Sequence, residues 1–263
     1  MSFVIMGRDI VKNLKFKKHD GNFDITKFAQ MLDDAYMATK RVDGEMTKKS
    51  FSPSSIGYGH GNCPRYWYMA FTGAVFIDDN DAQAIANMKN GTQAHERLQD
   101  LIKTLPGYKD QEVEIINEYP PIRGFIDIIM EQEGEEIIGE IKTAKQEVWD
   151  THQSKMSPSA NHLLQLLIYM KLKNAKEGFF IYENKNTQEL LIIPVIMNDR
   201  NKKIIEDTFT WMCEVWDNFK DGDLPIRPYT KSSYSCKYCP IKKACWTERT
   251  GTAQIEPLEV PKL

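Results

Sequence analysis

Two apolar segments, Gly124-Phe125-Ile126-Asp127-Ile128-Ile129-Met130 and Ile137-Ile138-Gly139-Glu140-Ile141-Lys142, carry ionisable residues inside runs that otherwise suit a sheet interior. β-Branched residues favour extended backbone, and short unbroken apolar runs of this kind read as covered strands. Between them lies Glu131-Gln132-Glu133-Gly134-Glu135-Glu136, polar and glycine-containing, so the spacing predicts a hairpin. Centring its turn between Glu133 and Gly134 sets Asp127 across from Glu140. Glu140 and Lys142 are two apart and share a strand face. Like charges opposed on a ladder repel. A divalent cation relieves that repulsion, because Mg²⁺ takes one or two carboxylates together with water and phosphate oxygens. The cation lowers the pKa of bound water, and Lys142 can orient that water or stabilise developing charge. The plainer reading is a surface salt bridge near a strand end.

The rest of the chain supplies elements to pack around this hairpin. Ile25, Phe28, Ala29, Leu32, Ala35 and Tyr36 make one helical face behind the N-cap candidate Asp24, after a basic stretch of Lys12, Lys15, Lys17 and Lys18. Ser52-Pro53-Ser54-Ser55 reads as a second helix start. Ile85, Met88, Leu98, Leu101, Ile102 and Leu105 recur at helical spacing, and 111–116 alternates as a strand does. A helix is expected over 159–174, then a hairpin of 178–182 and 190–195, then a helix from Asp199 with Ile205, Phe209, Met212, Trp216 and Phe219 inward. From Asp221 the tail has no clear period. The order predicts a mixed α/β core with a cysteine-bearing appendage.

Three further features carry chemistry. His95 lies near the apolar stripe of its helix, where a packed core imidazole is the ordinary outcome and a third metal ligand the sharper one. Gln165 and Tyr169 are neighbours at i, i+4 in a Leu-rich helix, placed to hold Lys142, to meet a DNA backbone, or to fill a polar core position. Cys236-x2-Cys239-x5-Cys245 gathers three thiols, and Cys63 can complete a tetrahedral zinc or [4Fe–4S] set. Spacing leaves zinc and iron–sulfur both open. Cys213 is left over, on the apolar face of the last long helix and expected in the core.

Composition excludes several classes. The 263 residues hold 34 Lys+Arg and 37 Asp+Glu, a net charge of −3, with 41% hydrophobic and 27% charged residues. That is ordinary globular composition. The longest apolar run, 190–197, is interrupted by Pro194 and is far short of the roughly 20 residues that span a bilayer. The start, Phe3-Val4-Ile5-Met6, is too short for a signal peptide, so the expected location is cytoplasmic, without membrane attachment. Five cysteines in a reducing compartment favour metal or catalytic use over disulfides.

In this order the motifs resemble the RecB-like branch of the PD-(D/E)XK nucleases, above all the iron–sulfur exonucleases associated with CRISPR systems and the nuclease domain of AddB. The resemblance runs from Ser52 to Trp246 and rests on Ser52-Pro53-Ser54-Ser55 leading to Cys63-Pro64-Arg65, Gly91-Thr92-Gln93-Ala94-His95, Gly124-Phe125-Ile126-Asp127, Gly139-Glu140-Ile141-Lys142-Thr143, Gln165-Leu166-Leu167-Ile168-Tyr169 and the cysteine triplet. It implies an α/β core with a central mixed sheet flanked by helices. It implies a Mn²⁺ or Mg²⁺ site of His95, Asp127, Glu140 and the Ile141 carbonyl, with Lys142 catalytic and Gln165 and Tyr169 supporting the site or the DNA. Arg65 is implied near the DNA path, and Cys63, Cys236, Cys239 and Cys245 as ligands of a [4Fe–4S] cluster that joins the two flanks of the core. Ile126 stands where the family name has proline, which is usual for the branch.

The expected activity is metal-dependent exonuclease cleavage of DNA from single-stranded or duplex ends. A non-cleaving DNA-binding adaptor of a recombination or CRISPR-adaptation complex and a site-specific endonuclease on the same core are the alternatives. No P-loop occurs, so a helicase, like a recombinase or integrase, would be a separate partner. The expected division is an N-terminal helical extension over 1–50, a nuclease core over 51–225 and a cysteine segment over 226–263.

Overall fold

The computed structural model of the chain describes residues 22–262. Its helices are α1 (Ile25–Met37), α2 (Pro64–Thr72), α3 (Ala82–Ile102), α4 (Gln146–Lys155), α5 (Ala160–Lys173), α6 (Asp199–Asp221), α7 (Tyr234–Lys237) and α8 (Lys242–Thr247). Its strands are β1 (Gly44–Met46), β2 (Ala74–Phe76), β3 (Tyr108–Asn117), β4 (Ile122–Gln132), β5 (Glu135–Ala144), β6 (Glu177–Asn184) and β7 (Leu190–Ile196). The basic stretch Lys12 to Lys18 lies outside the described residues.

The main sheet has five strands in the order β3-β4-β5-β6-β7, all antiparallel neighbours except β5 and β6, which are parallel. A parallel pair needs a crossover, supplied here by α4 and α5. The central hairpin turns on Glu133 and Gly134, both at positive φ (53° and 82°). Two such residues in a two-residue loop match the twist of the strands they join, and glycine accepts that backbone without strain. Strand β7 alternates between exposed and buried residues, and its Pro194 is tolerated because β7 is an edge.

The two faces of the sheet are covered differently. On one, α5 lays Leu163, Leu166, Leu167 and Met170 into a large core with Ile126, Ile129, Ile138 and Phe180. On the other, α3 lays Leu98 and Ile102 on Ile128, Ile141 and Ile181. Helices α2 and α6 extend the larger core through Trp67, Phe71, Met212 and Val215. The central strands are thereby covered on both sides, which explains their unbroken apolar sequence.

Several local expectations change. Ser52 caps no helix: Pro53–Ser55 is a single 3₁₀ turn, followed by Gly57 and Gly59 at positive φ, which end any helical run. The helix begins only at Pro64, with Cys63 at its N-cap position. Helix α4 carries no apolar stripe, burying Trp149 and His152 alone, and so gives no periodic signal in sequence. Cys213 is half-buried beside Tyr119 at the edge of α6 and is not a core residue, because Met212 takes the inward position. Among the described residues no helix is long and apolar enough to cross a membrane.

Candidate active site

The β4–β5 ladder runs in the predicted register from Gln132↔Glu135 to Ile128↔Gly139 and ends there. Asp127 and Glu140 are the next residues in line. They are therefore neighbours, as the hairpin arithmetic predicts, but at the point where the strands part. Asp127 Oδ2 accepts instead from the Ile141 backbone N–H at 2.7 Å. Strand β5 stays paired with β6 beyond this point, with Glu140 beside Phe180 and Lys142 beside Tyr182.

Helices close the site from both faces. From α3, His95 Nδ1 lies 3.6 Å from Asp127 Oδ2. One turn further on, the buried Gln99 donates to the Asp127 carbonyl oxygen at 3.0 Å and to Glu112 Oε1 at 2.6 Å. From α5, Gln165 Nε2 donates to Glu140 Oε1 at 2.6 Å, and Lys142 Nζ donates to the same oxygen. Tyr169 lies beneath, its hydroxyl so close to Gly124 that a Cβ there would stand 2.8 Å from it. Glycine in the Gly124-Phe125-Ile126-Asp127 segment is thus a matter of clearance for Tyr169. Gln165 and Tyr169 are both buried, the first on Glu140 and the second under Gly124, so neither is presented at the surface as the expected DNA contact would be.

The electrostatics are dominated by burial. Glu140 is 1% exposed. Burial raises its carboxyl well above the usual carboxylate range, outweighing the pull of Lys142, and Asp127 adds to the rise. Asp127 is raised for the same first reason, although His95, Lys142 and the Ile141 amide all favour its anion. Glu140 Oε2 is buried and has no hydrogen-bond partner. Such an oxygen is costly to keep unless a proton or cation meets it. Two buried oxygen donors, one of them unmatched, with an imidazole alongside, fit a hard or borderline divalent cation. With Asp127 turned to the Ile141 amide and Glu140 to Lys142 and Gln165, no three His, Cys, Asp or Glu side chains among the described residues form a ready ion cage.

The cysteine segment folds back onto the start of the core. Burial pushes the Cys63 and Cys239 thiols up to about 12; the thiols of Cys236 and Cys245 add to both shifts, and Cys63 adds to that of Cys239. Cys63 and Cys239 thus each lie in the field of Cys236 and Cys245, although the four form no ready metal cage among the described residues. Arg227 helps hold the segment, donating to the carbonyls of Cys245 and Glu248. Arg65 is fully buried and donates to the carbonyls of Pro225 (2.5 Å) and Arg249 (2.7 Å). This corrects its expected place on the DNA path: a guanidinium spent on two internal carbonyls meets no phosphate.

Sequence reading misses part of the site's surroundings. His162 Nδ1 lies 2.7 Å from Tyr182 Oη and 2.8 Å from Ser159 Oγ. Burial first, then Lys142, pushes His162 down to about 3, so it stays neutral. The parallel pairing that sets Tyr182 beside Lys142 has no local signature, and the set was not recoverable from pattern. Gln99 was recoverable, since it lies four residues from His95 on one helix face.

A divergent strand pair that presents two carboxylates and a lysine, backed by a glutamine and a histidine from helices on opposite faces, defines a class of metal-dependent phosphodiester-cleaving cores. The chain belongs to the PD-(D/E)XK nuclease superfamily, whose model matches residues 112–246. The match includes Asp127, Glu140, Lys142 and the three clustered cysteines but not His95 or Cys63. Nucleases of this superfamily act on DNA and use divalent metals such as Mg²⁺ or Mn²⁺. No curated protein matches the chain. Among solved structures, that of SSO0001 is 18% identical with a TM-score of 0.45, covering 85% of this chain and 96% of its own. The alkaline exonuclease LHK-Exo of Laribacter hongkongensis is 14% identical with a TM-score of 0.49, covering 73% of this chain and 95% of its own. LHK-Exo in complex with dAMP is 16% identical with a TM-score of 0.49, covering 66% of this chain and 89% of its own.

Proposed function

We propose that the protein is a DNA exonuclease of the RecB-like, iron–sulfur branch, acting on single-stranded or duplex ends with Mn²⁺ or Mg²⁺. The observation that carries the reading is the unmatched, buried Glu140 Oε2 beside Asp127, where the β4–β5 ladder opens. His95, Asp127, Glu140 and the Ile141 carbonyl would hold the cation. When bound, it polarises a phosphodiester and makes water a competent nucleophile near neutral pH. Gln165 fixes Glu140 from below, leaving its second oxygen for the site. Gln99 and the Ile141 amide fix Asp127. Lys142 places an ammonium where phosphoryl charge develops. Tyr169 is a positioning residue that fills the space under Gly124.

Cys63, Cys236, Cys239 and Cys245 are assigned to a [4Fe–4S] cluster. Their donor chemistry supports this, as does the rise of the Cys63 and Cys239 thiols, to which the neighbouring cysteines add and which a bound cationic centre would reverse. In this reading 1–50 form an extension, 51–225 the core and 226–263 the cluster segment, and the enzyme works in the cytoplasm with a separate helicase, recombinase or integrase.

Digestion of end-labelled linear DNA with Mn²⁺ or Mg²⁺, beside a covalently closed circle, tests the activity. Linear DNA is shortened from its ends and the circle survives; a nicked or linearised circle overturns the exonuclease assignment. Protein purified without air carries the broad visible absorption of iron–sulfur centres, lost in Cys63→Ser; a colourless, zinc-loaded protein overturns the cluster.

A further inference from the structure

The C-terminal ends of the two parallel strands carry a pair of like charges. Lys145 follows β5 and Lys185 follows β6, one step past the last registered pair, Ala144↔Asn184. The Lys185 backbone N–H donates to the Ala144 carbonyl at 2.8 Å, extending the strand contact to the lysines. Each ammonium lies in the field of the other. Lys185 is half-buried, and its pKa is lowered first by burial and then by Lys145.

This juxtaposition is built, not incidental. Asn184 is fully buried. Its side chain donates to Gln146 Oε1 at 2.9 Å, beside Lys145, and accepts from the Asn186 N–H at 2.9 Å, beside Lys185. Its backbone closes the loop through Glu189 and Gln188. One buried amide therefore ties both lysine-bearing segments together. Of the carboxylates nearest in sequence, Glu183 is engaged with Arg97, Glu189 with the Thr187 hydroxyl and Asp150 with Gln146, while Glu147 is exposed on the first turn of α4 and forms no ion pair with Lys145 among the described residues. Neither ammonium has a carboxylate partner among the described residues. Two neighbouring cations without a carboxylate partner repel, and an anion held by both relieves that repulsion.

We propose that Lys145 and Lys185 form a phosphate-binding subsite that grips the substrate DNA strand beside the carboxylate site. The proposal rests on the nuclease reading above. Its place suits it, because open α/β sheets bind ligands outside the carboxyl ends of their strands. Lys145 lies three residues beyond Lys142, or roughly 10 Å along the strand at about 3.3 Å per residue. A single strand bound at Lys142 and running toward the carboxyl ends of β5 and β6 would reach the lysine pair within that span.

Binding of a fluorescein-labelled single-stranded oligonucleotide to the metal-free protein, titrated across salt concentrations, separates this role from catalysis. Each phosphate contact adds about 0.7 to the slope of log affinity against log salt. Lys145→Gln/Lys185→Gln should lower the slope by about 1.4 and weaken binding on the order of 20-fold at about 0.1 M salt. Lys145→Gln alone, at an exposed position, should give about half the slope change, which guards against misfolding of the double variant. Lys202→Gln/Lys203→Gln on α6 should leave both unchanged. Wild-type slope and affinity in the Lys145 and double variants overturn the subsite. A wild type that binds but never cuts overturns the nuclease reading and leaves the subsite standing if the slope falls. A wild type that does not bind DNA overturns both.

Discussion

The carboxylate site and the cysteine segment are built on different principles. Asp127, Glu140 and Lys142 stand on long strands buried under helices on both faces, where Asp127 Oδ2 is held by the Ile141 amide and Glu140 Oε1 by Lys142 and Gln165, leaving Glu140 Oε2 unmatched. The cysteines stand at the N-cap of α2, on two very short helices and on the loop between them, held against the core by Arg65, Arg227 and backbone contacts from distant segments. The first is a rigid site whose chemistry depends on single atoms. The second is a docked flank whose integrity depends on a few long-range ties. Substitutions should therefore cost activity in the first and stability in the second.

The largest effect is expected in the sheet. Asp127→Ala, Glu140→Ala and Lys142→Ala should each lower DNA cleavage in Mn²⁺ by about 10³-fold or more, since cation-held charge stabilisation amounts to several kcal/mol. Unchanged cleavage in all three would sink the site. Next is Arg65→Ala, which removes the donor of the Pro225 carbonyl and the shorter of the two donors of the Arg249 carbonyl and should cost about 3 kcal/mol, read from urea unfolding, with early proteolysis of the segment after Pro225. Arg65→Lys should not rescue it, because one ammonium does not reach both carbonyls. An Arg65→Ala protein of full stability but weakened DNA binding would reverse the comparison.

A smaller effect is expected one layer behind the carboxylates. Gln165→Ala should lower metal affinity by about 10- to 100-fold, measured by the Mn²⁺ dependence of cleavage, while the fold stays intact. The smallest concerns pH. His60 is pushed down to about 4 and His162 to about 3, in both cases first by burial. The unfolded chain takes up protons near the ordinary 6.5 that the folded chain refuses, so stability is full above 6.5 and falls as pH drops toward 4. The loss is up to about 1.4 kcal/mol per pH unit for each histidine. Urea midpoints at pH 7 and 5 check the sign, and His162→Gln should flatten the dependence.

Much of the sheet and its flanking helices was legible because their signals are local. Asp24 caps α1 through the Lys27 N–H, and Asn174 closes α5 in the left-handed conformation. The hairpin register followed from a two-residue turn, and with it the meeting of Asp127 and Glu140. Helix α4 was not legible because it buries only two residues, and Pro53–Ser55 was misread because the glycines after it outweigh its N-cap pattern. Arg65 reads as a basic residue beside an aromatic run. Only the docking of residues near Pro225 and Arg249 makes it internal.

Periodicity, turn chemistry and strand alternation act over a few residues, so the chain's pattern alone locates the β4–β5 hairpin and brings Asp127 and Glu140 to its open end. Burial, ladder breaks and parallel pairing join residues far apart in sequence. They decide that Glu140 keeps an unmatched oxygen, that Tyr182 stands beside Lys142, and that Asn184 ties together the segments carrying Lys145 and Lys185. No local pattern encodes these contacts, because the free energy of a buried polar group depends on every neighbour that the whole fold brings to it.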